Sequence, residues 1–118
     1  HYTNNTCKNQ YGYDILFIEE NYKSEIRLST LAEIAGISDV ALSRLFKAKV
    51  GKSLSDYIID IRLGYAARML VDSTKNISEI CYECGFNNLS NFNRTFKAKR
   101  NYTPRDFRAM FKKNKVIV

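Results

Sequence analysis

The sequence is poor in the residues that carry metal and acid–base chemistry. One histidine, His1, and three cysteines, Cys7, Cys81 and Cys84, are all that its 118 residues offer to a soft metal. Zinc takes four such ligands, and two of these lie in the first ten residues, so no zinc site is expected. The run "CYEC", Cys81 to Cys84, reads instead as two small buried side chains on one helix, because a redox pair sits at a helix start beside a strand. An odd number of cysteines without a regular framework suits a reducing compartment, so the cytoplasm is expected. No run of 18 apolar residues and no charged-then-apolar leader occurs, so neither membrane spanning nor secretion is indicated. A Ser/His/Asp set, a glycine-rich phosphate loop and paired carboxylates on one face are all missing, so neither an enzyme nor a cofactor is expected. No strand alternation competes with the helical spacings, and the expected fold class is all-α. The chain starts at His1 rather than Met, which points to a fragment or processed chain with a partner domain upstream.

What is present is a globular composition with a one-sided charge. An apolar fraction of 45% with 26% charged residues suits a small folded domain. The net charge of +7 is unevenly placed: residues 1–37 hold three Lys and Arg against five Asp and Glu, and residues 38–118 hold sixteen against seven. Such a field concentrates polyanions: nucleic acid, anionic lipid or an acidic protein. A merely solvated basic surface is the plain alternative.

Along the chain, "HYTNNTCKNQ" (1–10) is polar and aperiodic, and reads as a flexible arm or linker end. From Tyr11 onward, Tyr13, Ile15, Leu16, Ile18 and Tyr22 carry helical spacings. Leu28, Leu31, Ala32 and Ala35 make a second helix stopped by Gly36. Ser38 caps a third, with Leu42, Leu45 and Phe46 inward and Gly51 at its end. "SLSD" opens a fourth helix with Ser53 as cap, over about residues 53–71. At 1.5 Å per residue it spans roughly 28 Å. Asn76 with Glu79 forms a cap pair before Ile77, Ile80, Cys81 and Cys84, and Gly85 breaks that helix. Asn87 or Asn88 caps the next, with Phe92 and Phe96 inward. Thr103, Pro104 and Asp106 start a last one.

This plan is a repeat. Leu28, Leu31, Ala32, Ala35 and Gly36 fall on Ile77, Ile80, Cys81, Cys84 and Gly85; after one extra residue, "RLFKAK" falls on "RTFKAK". Each copy is a short helix, a glycine turn and a longer helix, that is, a helix-turn-helix, at about 27–50 and 76–100. On the longer helices Val40, Ser43, Arg44 and Lys47, and then Ser90, Asn93, Arg94 and Lys97, lie opposite the apolar face. Each outward face carries one Arg, one Lys and small hydrogen-bonding side chains without a carboxylate. That suits a DNA major groove: Arg grips guanine, Asn grips adenine, Ser approaches closely and Lys meets phosphate. Two such helices reading one face of B-DNA should stand about 34 Å apart, and a strut of roughly 28 Å is of that order.

"GISDVALSRLFKAKVGKSLSDYI", the "IR" and "A..ML" of the long helix, and above all "GFNNLSNFNRTFKAKRNYTPRDFR" resemble the DNA-binding domain of the AraC/XylS family of bacterial transcription regulators. The likeness covers about residues 11–111, and residues 11–118 are taken as that domain. It implies seven helices, two helix-turn-helix units on a long central helix, and binding to two successive major grooves of double-stranded DNA. It also implies an activator that touches RNA polymerase, joined to an N-terminal sensor or dimerisation domain. Carried over by residue, the first reading helix presents Asp39, Val40, Ser43 and Arg44, and the second Leu89, Ser90, Asn91, Asn93 and Arg94.

For Leu89 packing is favoured over a thymine methyl contact, and for Asp39 a first-turn carboxylate role is favoured over a cytosine contact. Asn101 stands where the family has glycine, a left-handed position that Asn tolerates. Ser38, Lys47, Asn88, Lys97, Lys99, Arg100, Arg105 and Arg108 are the expected phosphate contacts, with a free surface charge as the alternative for each cation. Arg62 and Arg68 are either contacts or structural partners. Phe46, Phe86, Phe92 and Phe96 are assigned to packing. The rival function is a basic helical module that docks an acidic protein and never touches DNA. RNA ranks below both, because the aromatics fall at core spacings.

Overall fold

The computed structural model describes residues 15–117, with side chains through residue 112. The opening arm and Tyr13 lie outside the described residues. Seven helices and no strand are present among those described: α1 (15–21), α2 (Leu28–Ala35), α3 (Asp39–Val50), α4 (Leu54–Asp72), α5 (Ile77–Glu83), α6 (Leu89–Arg100) and α7 (Pro104–Ile117). The all-α architecture is the one expected, and α4 differs from its expected bounds by one residue at each end. The chain divides into two compact units, residues 1–60 and 61–118, with α4 running through the boundary.

In unit 1, α2 packs on α3. Ile18, Tyr22, Leu31, Ala35, Leu42, Phe46 and Ile58 are buried. The helical spacing of the apolar positions therefore marks the inward face, with Ile15, Leu28 and Leu45 half-buried at its edge and Leu16 outside it. Leu16, expected inward, is 53% exposed, because α1 turns inward the face that carries Ile18 and Tyr22.

In unit 2, α5 packs on α6 and α6 on α7. Leu63, Leu70, Ile80, Cys81, Cys84, Phe92 and Phe96 are closed to solvent. The two cysteines are buried here and neither is in a disulfide, and Cys84 Sγ lies 3.8 Å from Met69 Sδ. Phe86, Phe92, Phe96 and Phe107 form a chain of edge-on and tilted rings with centroids 4.9, 5.8 and 5.3 Å apart. That geometry favours contact between the electron-poor edge of one ring and the face of the next.

The turns that precede α3 and α6 are the same in both units. After α2, Gly36 sits at φ 75°, its N–H bonds Glu33 O (3.2 Å) and the Ile37 N–H bonds Ala32 O (3.0 Å). After α5, Gly85 sits at φ 98°, its N–H bonds Tyr82 O (3.1 Å) and the Phe86 N–H bonds Cys81 O (3.1 Å). This double bond satisfies carbonyls that a helix end otherwise leaves open, and its left-handed residue is least strained as glycine. The extra residue of the second copy lies after this turn and before the cap of α6.

Candidate nucleic-acid interface

Each reading helix is started by a side chain and stopped by a left-handed residue. The Ser38 Oγ accepts from the Ala41 N–H (3.1 Å), and the Asn88 Oδ1 accepts from the Asn91 N–H (2.7 Å). Asn88, rather than Asn87, is thus the cap of α6. A hydroxyl or amide that accepts one bond keeps its own N–H or O–H to donate, so both caps retain phosphate-binding chemistry. At the far ends, Gly51 (φ 89°) and Asn101 (φ 70°) occupy the same left-handed position, with N–H groups bonded to Lys47 O and Lys97 O, each at 2.9 Å. Asn101 adopts the conformation expected of it.

On α3, Leu42 and Phe46 are buried, whereas Ser43, Arg44 and Lys47 are exposed and Val40 keeps 60% of its surface in solvent. An exposed β-branched side chain on this face suits contact with a thymine methyl group. Asp39 occupies the first turn of α3, where the helix dipole favours a carboxylate. On α6, Phe92 and Phe96 are buried; Ser90, Asn91, Arg94 and Lys97 are exposed, and Asn93 and Leu89 are half-buried. The Arg94 guanidinium donates to Asn91 Oδ1 (3.3 Å), one turn earlier on the same face. That bond uses one of the two lone pairs of Asn91 Oδ1, and the Asn91 amide N–H groups and the other Arg94 donors take no part in it.

The expected phosphate set is divided by the structure. Lys47, Lys97, Lys99 and Arg105 are exposed. Arg100 is half-buried, and its Nη2 would lie 3.9 Å from a Cβ added at Gly64, so its guanidinium passes over α4. Arg108 turns inward: its Nε donates to Leu70 O (2.9 Å) and its Nη2 to Ser73 O (3.1 Å). Lys112 adds a bond to Ser73 O (2.6 Å). These two cations satisfy carbonyls at the C-terminal end of α4, where positive charge is also favoured by the dipole. The role expected for Arg108 is therefore corrected to a clamp. Its partners lie 35 and 38 residues away, beyond any local pattern.

Other cations are occupied locally. Lys52 pairs with Asp60, and Lys75 with both oxygens of Glu83; in each case hydrogen bonding to the carboxylate raises the ammonium pKa above its ordinary value. Burial pushes the Arg62 guanidinium below its ordinary value, and Arg68 lies 5.7 Å from the Tyr65 ring centroid. Arg62 is half-buried on α4, and Arg68 is exposed. No cluster of metal-ligating side chains and no helix long and apolar enough to cross a membrane is found among the described residues.

Two capped helices, each set by a glycine turn with its Arg, Lys and Ser side chains in solvent, define a helix-turn-helix protein, and residues 31–110 match the family described as a helix-turn-helix domain. An uncharacterised helix-turn-helix transcriptional regulator of Pseudoalteromonas carrageenovora is 37% identical over 82% of this chain and 57% of its own length. The transcriptional activator RhaS of Mannheimia succiniciproducens is 35% identical over 80% of this chain and 35% of its own length. Among solved structures, a transcriptional regulator from Chromobacterium violaceum with an AraC-type DNA-binding domain is 30% identical, with TM-score 0.80 over 87% of this chain and 92% of that one. The chain belongs to the AraC/XylS family of transcription regulators, as its DNA-binding domain. The family is one of regulators and not of enzymes. This chain spans about half the length, or less, of the curated relatives it matches.

Proposed function

We propose that the chain reads double-stranded DNA sequence-specifically for a bacterial transcription regulator, placing α3 and α6 in two successive major grooves. The observation that carries this is the matched pair of outward faces. Val40, Ser43 and Arg44 on α3, and Ser90, Asn91, Asn93 and Arg94 on α6, are the base-reading set. Ser38, Lys47, Asn88, Lys97, Lys99, Arg100 and Arg105 position the backbone. Arginine at the centre of each face supplies a bidentate grip on guanine, and the flanking cations and caps fix register on phosphates.

The reading extends to the whole regulator. It acts in the cytoplasm as an activator that touches RNA polymerase, and an N-terminal segment senses a signal or dimerises. The identity with RhaS and the greater length of the curated relatives support this.

Titration with duplex DNA at two salt concentrations tests the core of the proposal. Affinity should fall with a log–log slope of about −0.9 per phosphate neutralised. Selection from a random duplex pool and footprinting should then give two protected segments about 34 Å, one duplex turn, apart. No duplex affinity at low salt, with retained affinity for an acidic protein, would replace it by the docking-module reading.

A further inference from the structure

The two units are alike in fold and opposite in charge. Residues 1–60 carry seven Lys and Arg against eight Asp and Glu, a net −1; residues 61–118 carry twelve against four, a net +8. The net positive charge of the chain thus resides in unit 2. The reading helices differ in the same sense. In α3, Arg44, Lys47 and Lys49 stand against Asp39 in the first turn; in α6, Arg94, Lys97, Lys99 and Arg100 stand with no acidic residue in the first turn. Unit 2 adds the exposed Arg105 at the start of α7.

Resting on the DNA-reading function above, we propose that the units divide the work. Unit 2 grips the duplex through phosphate contacts, and unit 1 is a weak second reader that engages only a duplex unit 2 already holds. The screening length at physiological salt is about 8 Å, whereas half-sites one turn apart are separated by about 34 Å. The charge of unit 2 therefore does not attract the phosphates beneath a second half-site. Each unit must hold its own. With the two guanine-gripping arginines set apart, four cationic phosphate contacts in unit 2 (Lys97, Lys99, Arg100, Arg105) strengthen binding at 0.15 M, relative to 1 M salt, by about 900-fold, and two in unit 1 (Lys47, Lys49) by about 30-fold. At the reading helix itself, unit 1 also carries the Asp39 carboxylate in the first turn of α3, where α6 carries none. Its contribution is consequently conditional, arising from base contacts made once the duplex is tethered and the second encounter has become intramolecular.

The division predicts that the units fail unequally. The test uses the intact chain, the duplex it selects from a random pool, and footprinting at physiological salt. The segment read by α6 is the one whose base preference relaxes in Arg94→Ala. Lys97→Gln with Arg105→Gln, two exposed positions, should weaken binding about 30-fold and release both protected segments together. Lys47→Gln with Lys49→Gln should release only the segment read by α3, with a total loss under about 5-fold, because a weakly held segment contributes no more than that. Circular dichroism melting should show all four substitutions to leave the fold intact. A wild-type footprint confined to the α6 segment would overturn unit 1 as a reader, and the two-groove reading with it. Release of both segments by the unit 1 substitutions, equal losses from the two pairs, or a wild-type footprint confined to the α3 segment would overturn the division while leaving DNA binding standing. A wild-type chain without affinity for any duplex would remove the function itself, and the division with it.

Discussion

Unit 1 and unit 2 use the same turn, the same left-handed helix stops and the same side-chain start for the helix that follows. Ser53 Oγ accepts from the Asp56 N–H at 3.2 Å and Thr103 Oγ1 from the Asp106 N–H at 3.1 Å. They differ at the first helix of the motif. α5 opens with a reciprocal cap, in which Asn76 Oδ1 accepts from the Glu79 N–H (2.8 Å) and Glu79 Oε1 accepts from the Asn76 N–H (3.2 Å). α2 opens at Arg27, with no side-chain cap. They differ again in the core. Phe46 meets Tyr57 (5.4 Å between ring centroids), whereas Phe96 meets both Phe92 and Phe107. A helix-turn-helix needs its turn geometry strictly and its caps and ring contacts only in sufficient sum, so the duplicated unit has kept the first and let the others diverge.

The largest test of that contrast is in the core. Phe96→Ala should cost about 3–5 kcal/mol by urea denaturation, a large share of a stability of about 5–15 kcal/mol. Phe46→Ala should cost less by about 0.5–1.5 kcal/mol, the worth of one aromatic pair. Equal costs would show that the ring chain adds nothing beyond burial. Next is the reading face. Arg94→Ala should weaken binding to the selected duplex by about 1–3 kcal/mol and relax preference at one base, measured by fluorescence anisotropy on matched and mutated sites. A uniform loss on every duplex would reassign Arg94 to phosphate.

The caps come third. Asn76→Ala should lower stability by about 1 kcal/mol, and Arg27→Asn should raise it by up to about 1 kcal/mol by installing in unit 1 the cap it lacks. Arg27 already has the extended backbone (φ −103°, ψ 139°) that a cap requires. A thermal midpoint unmoved by Arg27→Asn would mean that the start of α2 is held by its tertiary contacts. The smallest effect should appear only in alkali. Burial pushes the Cys81 thiol above its ordinary value of 9.0. The unfolded chain therefore loses this proton first. The stability that depends on the neutral thiol is complete below about pH 9 and is lost as pH rises from there through the higher value of the folded state. Cys81→Ala, which copies Ala32 of unit 1, should flatten the alkaline fall in urea midpoint relative to the parent chain.

Much of this is written in short stretches of sequence. Gly36, Gly85 and Gly51 mark turns because few other residues adopt a left-handed backbone cheaply. Ser38, Asn76 and Thr103 mark starts because their oxygens reach an N–H three residues on. Leu42 with Phe46, and Phe92 with Phe96, mark the inward face because four residues bring a helix back to nearly the same side. Val40, Ser43, Arg44, Ser90 and Arg94 were legible as outward by the same periodicity. Arg108 was not, for its basic side chain near a helix start looks like any other surface cation until α4 ends beside it.

The linear order of residues thus settled the helices, their stops and the duplication, since each depends on atoms within about one helical turn. Which of the cations beyond the two reading faces stay outward was decided only by the packed chain. Arg108 and Lys112 close the end of α4, Arg100 lies over Gly64, and Lys52 and Lys75 meet carboxylates eight residues away. A long charged side chain takes whatever partner folding brings within its reach, and that partner is set by the crossing of helices rather than by spacing along one.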